Sequence, residues 1–268
     1  MASLSVNQTT TFRWSFEEDV LHCAAAGFPA ISVWRQKLSD FGVAKAAELL
    51  RQHGVKAQAL FWAGGFTGSD GRSYRESVDD GIEAVRSAAA IGAGTVIVCS
   101  GARGGHTMNH ARRLLLSALE EILVEADPLA IDLALEPMHP GCAADWTFVT
   151  ALDQAIEIVD AVSSPRLKLV FDTYHLGSTP GVVERIPQVA DRIALVQLGD
   201  MRLPPVGEQN RCRLGEGVLP LREIAAALKS AGYDGYYDIE LLGEELEGHA
   251  YASLLSHSRQ WFEENVAG

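Results

Sequence analysis

The sequence predicts an α/β fold, a single (β/α)8 or TIM barrel, with residues 1–268 forming one domain. Three observations predict it. Short β-type runs alternate with longer amphipathic segments along the whole chain. Several of the short runs are almost continuously apolar, such as Thr95-Val-Ile-Val-Cys99, Leu167-Lys-Leu-Val-Phe171 and Ile193-Ala-Leu-Val196, as expected of strands buried on both faces of a parallel sheet. Finally, eight such units share 268 residues, or about 33 each, close to the usual size of a (β/α)8 barrel.

Taken in order, the strands fall at 4–9, 30–34, 56–62, 95–100, 131–136, 167–172, 193–198 and 236–240. The first helical pattern, 16–26, starts behind Ser15, a good N-cap, and stops at Gly27. The next two, 43–53 and 74–91, stop at Gly54 and Gly92. The fourth, 109–125, carries Leu114, Leu115, Leu119 and Leu123 at helical spacing. Helical patterns at 148–162, 182–189, 221–231 and 250–265 complete the alternation. No Pro/Ser-rich linker or low-complexity stretch divides the chain. A doubly wound open sheet is the alternative, but no GxGxxG follows the first strand to support a dinucleotide fold.

Composition narrows the function. With 47% hydrophobic and 21% charged residues the chain has the material for a large core. Lys and Arg number 22 against 35 Asp and Glu, a net charge of −13, which argues against nucleic acid or an anionic membrane as partner. Cys23, Cys99, Cys142 and Cys212 are widely spaced, with no CxxC pair, and read as reduced thiols. The first residues, Met1-Ala-Ser-Leu-Ser-Val-Asn-Gln8, lack a basic n-region and a long apolar h-region, and no uncharged apolar run approaches about 20 residues, so no signal peptide and a cytoplasmic location are expected.

Chemistry in such a barrel sits where the strands end. Strand five runs into Glu136-Pro-Met-His139, strand six into Asp172-Thr-Tyr-His175, strand seven carries Gln197-Leu-Gly-Asp200, and strand eight ends at Glu240. Singly, each residue reads equally well as a solvated strand end, a helix cap or a backbone-bonded amide. Together they bring three carboxylates and an amide to one rim. Such a group repels itself without a cation, and hard Mg²⁺ or Mn²⁺ suits oxygen ligands better than Zn²⁺ does.

Leu-Glu136-Pro, Phe-Asp172-Thr-Tyr-His175, Val-Gln197-Leu-Gly-Asp200, Gly215-Glu-Gly217 and Asp-Ile-Glu240 resemble the xylose isomerase-like TIM-barrel superfamily, and within it the sugar phosphate isomerase/epimerase family. The resemblance spans nearly the whole chain. It implies one divalent metal ion held by Glu136, Asp172, Gln197 and Glu240, with Mn²⁺ or Mg²⁺ favoured over Co²⁺ or Zn²⁺. Many relatives have His where this chain has Gln197. The resemblance further implies that Glu136 and Glu240 are the catalytic acid/base pair. They would move a proton beside a metal-polarised carbonyl through an enediolate.

His139 and His175 are expected to touch substrate, each with a plain loop role as its alternative. Arg211 is the expected bidentate clamp, preferred to Arg213 on the resemblance alone. Trp34 and Trp62 end strands two and three and either wall the pocket or pack the barrel. His106 lies in a Gly-rich loop open to an anion or simply to solvent.

The expected function is therefore isomerisation or epimerisation of a small sugar, keto-sugar or hydroxy-carbonyl acid, with a small-molecule polyol or keto-sugar as the expected binding partner. A dehydratase of the inosose or dehydroshikimate type is the alternative, and a non-catalytic sugar-binding subunit a third. A DNA-repair nuclease of the endonuclease-four type fits poorly with 8 His and this charge. A homo-oligomer is a family expectation, with Leu254, Leu255, Trp261 and Phe262 of the last helix as a contact.

Overall fold

The apolar runs pair in parallel and in chain order, and the last closes onto the first. A computed structural model describes residues 2–267. Its strands are β1 (Ser3–Asn7), β2 (Ala30–Trp34), β3 (Lys56–Gly64), β4 (Thr95–Cys99), β5 (Asp132–Leu135), β6 (Leu167–Asp172), β7 (Ile193–Leu198) and β8 (Tyr236–Ile239). They form one closed barrel in the order β1 to β8. Closure pairs Ser3 with Tyr236 and Val6 with Ile239.

The helices are α1 (Phe16–Ala25), α2 (Arg35–Phe41), α3 (Val43–His53), α4 (Tyr74–Ile91), α5 (Met108–Ala126), α6 (Leu152–Val162), α7 (Thr173–Leu176), α8 (Val182–Val189), α9 (Leu221–Ser230), α10 (Glu244–Glu247) and α11 (Tyr251–Asn265). Ser15 caps α1 and Ser73 caps α4, each through a reciprocal box with the glutamate three residues on. Gly54 and Gly92 end α3 and α4 in the left-handed conformation that a side chain disfavours. Among the described residues no helix is long and apolar enough to cross a membrane.

Several expectations change. The helix expected at 148–162 starts at Leu152, because 148–151 form the end of a loop. Helix α2 was not foreseen. It follows β2 without a gap and is fastened by Lys37, which is buried and donates to Asp19 at 2.7 Å and to the carbonyls of Gln8 (3.2 Å) and Thr11 (2.9 Å). Leu254, Leu255, Trp261 and Phe262 are buried in the chain's own core, so they do not form the oligomer contact envisaged for them.

Two apolar regions make the core. The larger lies between barrel and helices. The smaller fills one side of the barrel interior with Ala59, Phe61, Ile97, Ala134, Val170 and Leu195. The other side is polar. There the Asp238 carboxylate accepts from Ser5 Oγ (2.6 Å), Ser32 Oγ (2.6 Å) and Asn7 Nδ2 (3.2 Å). Gln58 in turn donates to Ser32.

Candidate active site

Side chains alternate along a strand, so residues two apart share a face. Ala134, Val170 and Leu195 pack inside the barrel, which puts Glu136, Asp172 and Gln197 on the inward face one layer nearer the carboxyl rim. Glu240 stands in the same relation to Asp238. Asp172 and Gln197 are direct partners across β6 and β7. Glu136 and Glu240 lie one residue beyond their strands, yet their N–H groups still donate to Val98 and Leu198 at 3.0 Å, and this fixes their direction. Glu136, Gln197 and Glu240 border one cavity of about 190 Å³, with Trp34 and Trp62 among its walls.

The carboxylates differ in their surroundings. Asp172 is fully buried. Its Oδ1 accepts from the Tyr174 N–H (2.7 Å) and Arg211 Nη1 (3.3 Å), and its Oδ2 from Arg211 Nη2 (2.9 Å). Burial alone would raise its pKa, but Arg211, His175 and the Tyr174 N–H outweigh burial and hold it below the ordinary value. Glu240 is pushed up to about 8, first by burial and then by Asp172 and Asp238, against the pull of Arg211. Glu136 is raised well above the usual range by burial and by the charges of Glu240 and Asp172. Cys99 Sγ lies 3.8 Å from its Oε2 and opposes that rise slightly.

His175 is buried on α7, and desolvation lowers its pKa to about 3, so the ring is neutral. Its Nδ1 accepts the His139 N–H at 3.2 Å, which leaves the proton on Nε2. That atom lies 3.6 Å from Asp172 Oδ2 and 3.8 Å from Glu136 Oε1. Glu136 and Asp172 each bring a carboxylate oxygen, and His175 a ring nitrogen, within 4.8 Å of one another, but with its proton on Nε2 the imidazole is a donor beside the two carboxylates and not itself a ligand.

Other expected residues fall differently. His139 is half-buried. Its Nδ1 accepts the Gly141 N–H (3.0 Å), and with His175 it borders a separate groove. Arg211 is fully buried, does not line the cavity and is engaged by Asp172 and Gln209. Arg213 pairs with Glu216 at 3.4 Å. His106 bonds the Thr67 carbonyl at 3.0 Å and so ties two rim loops together. The Gly215-Glu-Gly217 segment is a cradle for Asp200, whose Oδ2 accepts both glycine N–H groups at 3.0 Å.

Sequence reasoning missed Asn7, Thr9, Met138, Trp146, Gln209 and Leu242 on the cavity wall. Trp146 stacks edge-on against Trp62 at 4.7 Å. A tryptophan in the loop after strand five was the only available signal, and nothing in sequence aims such a loop inward.

The group fits a hard divalent cation. Gln197 Oε1 and Glu240 Oε2 are buried without a hydrogen-bond partner, beside two further carboxylates. Buried unpartnered oxygens are costly, and a cation satisfies them. The residues able to hold one are Glu136, Asp172, Gln197 and Glu240, with His175 alongside.

Residues 20–265 match the family described as xylose isomerase-like TIM barrel. The chain is 26% identical to an inosose isomerase of Bacillus velezensis, over 90% of this chain and 89% of that one. A solved structure from Sinorhizobium meliloti 1021 superposes with a TM-score of 0.91 at 26% identity, covering 99% of both chains. The IOLI protein, solved with a bound zinc atom, shares the fold at a TM-score of 0.86 and 22% identity, over 99% of this chain and 98% of its own.

Proposed function

The chain belongs to the xylose isomerase-like TIM-barrel family, and from that premise we propose that it is a divalent-metal-dependent isomerase or epimerase of a small polyol ketone, keto-sugar or hydroxy-carbonyl acid. One observation carries the reading. Glu136 and Glu240, two buried glutamates with raised pKa values, face the same small cavity from β5 and β8. A carboxyl that exchanges a proton near neutral pH is what acid–base work on a C–H bond requires. The likeness to an inosose isomerase agrees with that class of substrate.

A divalent cation held by Glu136, Asp172, Gln197 and Glu240, with Mn²⁺ or Mg²⁺ best suited to the oxygen set, supplies Lewis acidity to a hydroxyl and its neighbouring carbonyl. The chain's own groups do the rest. One glutamate takes the proton from the carbon beside the carbonyl, and the other returns one, to the adjacent carbon in isomerisation or to the opposite face in epimerisation. Neutral His175 presents its Nε2–H beside Asp172 and Glu136, where it can donate to a substrate oxygen. Trp34, Trp62 and Trp146 wall the cavity against water and offer apolar faces to the C–H side of a sugar.

The test is proton exchange. With Mn²⁺ in deuterium oxide, the wild type should introduce deuterium beside the carbonyl of an inosose or keto-sugar without losing water. Glu240→Gln should lower turnover by about 10²–10⁴-fold while the fold persists. Full activity in the metal-loaded variant would overturn the assignment of Glu240. An enone absorbance growing with turnover would identify a dehydratase using the same first step.

A further inference from the structure

Arg211 enters this site in an unexpected position. The side chain is fully buried and is not among the residues that line the cavity. Its Nη2 lies 2.9 Å from Asp172 Oδ2 and 3.7 Å from Glu240 Oε2, between two of the four residues suited to hold a cation. The guanidinium stacks on the Tyr174 ring at 4.4 Å, and Nη2 also donates to Gln209 Oε1 at 2.9 Å. The Tyr174 hydroxyl accepts the Asn210 N–H at 2.9 Å, which locks the ring beneath it. Gly199 makes room, since a Cβ there would overlap Arg211 Nη1. A glycine, an aromatic shelf and an amide bracket therefore hold one permanent positive charge immobile against the carboxylates.

We infer that Arg211 is a built-in counter-ion that shares the oxygens of Asp172 and Glu240 with the divalent cation, so that the two positive charges compete for them. The inference rests on the metal-site reading above. With Glu136, Asp172 and Glu240 all ionised around a bound divalent ion, three negative charges meet three positive ones, one from the guanidinium and two from the ion. Arg211 keeps the carboxylates gathered whether or not an ion is bound, and its repulsion of the ion keeps binding reversible. It is a positioning residue, acting through Asp172 and Glu240.

Calorimetric titration with Mn²⁺ in the absence of substrate tests this on EDTA-treated wild type, Arg211→Met and Arg211→Lys. Arg211→Met should unfold at a lower temperature without metal, yet bind Mn²⁺ about tenfold or more tightly, because the competing charge is gone. Arg211→Lys keeps the charge and should stay within about threefold of wild type. Unchanged or weaker Mn²⁺ binding by Arg211→Met overturns the inference. Unchanged binding with a raised KM would return Arg211 to the role of substrate clamp. Should Arg211→Met fail to fold, wild type labelled with [15N]arginine gives a second readout. The Arg211 side-chain signal, assigned by its loss in Arg211→Lys, should move on adding Mg²⁺ alone, and a stationary signal sinks the proposal. Failure of wild type to bind any divalent ion would refute the metal centre itself, which is a separate outcome.

Discussion

Burial raises Glu240 to about 8 from an ordinary 4.5, and Arg211 offsets only part of the rise. A cation must therefore displace a proton near neutral pH. Mn²⁺ binding should tighten by about tenfold per pH unit between pH 6 and 8 for one displaced proton, and more steeply if Glu136 releases a second. Calorimetry in buffers of different ionisation enthalpy counts those protons, and a flat profile would mean that neither glutamate titrates there. The sign for stability is opposite. A folded pKa raised above the unfolded one contributes stability that is complete below 4.5 and lost as pH rises through about 8. EDTA-treated protein should accordingly melt lower at pH 9 than at pH 6. Sequence alone identified the rim residues Glu136, Asp172, Gln197 and Glu240. It could not identify the partner of Arg211, because a guanidinium reaches equally well towards substrate or towards a neighbouring carboxylate, and only packing decides between them.

Among the elements, those with a strong period or an end signal were legible and those held by tertiary contacts were not. Ser15, Gly54 and Gly92 announce the ends of α1, α3 and α4 through local backbone chemistry. Helix α2 has only 7 residues, too few to display a period, and its anchor is the buried pair of Lys37 with Asp19 on α1. The connection from β7 to α9 is the other element shaped from outside itself. It folds around the Asp200 carboxylate, which accepts from the N–H groups of Met201, Gly215, Gly217 and Leu219. Gly217 is glycine for want of space, since a Cβ would overlap both that carboxylate and the Met201 carbonyl. Gly217→Ala should cost about 1–3 kcal/mol by overpacking. It should also weaken substrate binding, because the same connection carries Gln209 to the cavity. Gly94→Ala is the control, as no heavy atom lies within 4 Å of the added carbon. Equal urea midpoints for the two variants would show that the Asp200 cradle is not tight.

At the scale of the whole molecule, the barrel must close, and its closure and its chemistry meet at one residue. Strand β8 pairs with β1 on one side and β7 on the other, and Asp238 faces inward from it. The Asp238 carboxylate gathers Ser5 and Asn7 of β1 and Ser32 of β2, so one side chain binds three strands across the seam where the chain's ends meet. The apolar half of the interior needs no such device, because Ala134, Val170 and Leu195 come from strands adjacent in sequence. Asp238→Ala would leave those buried donors without an acceptor. At about 1–3 kcal/mol for each unsatisfied group, less whatever a rearranged hydroxyl or an entering water restores, the loss should be about 3–5 kcal/mol. Asp238→Asn keeps one acceptor oxygen and should cost less. Urea unfolding with an unchanged slope measures both. A loss below about 1 kcal/mol in Asp238→Ala would show that ladder hydrogen bonds alone close the barrel. Glu240 is carried two residues further along the same segment. A seam loosened at Asp238 should therefore also weaken Mn²⁺ binding, and the two losses should appear together across the Asn and Ala variants.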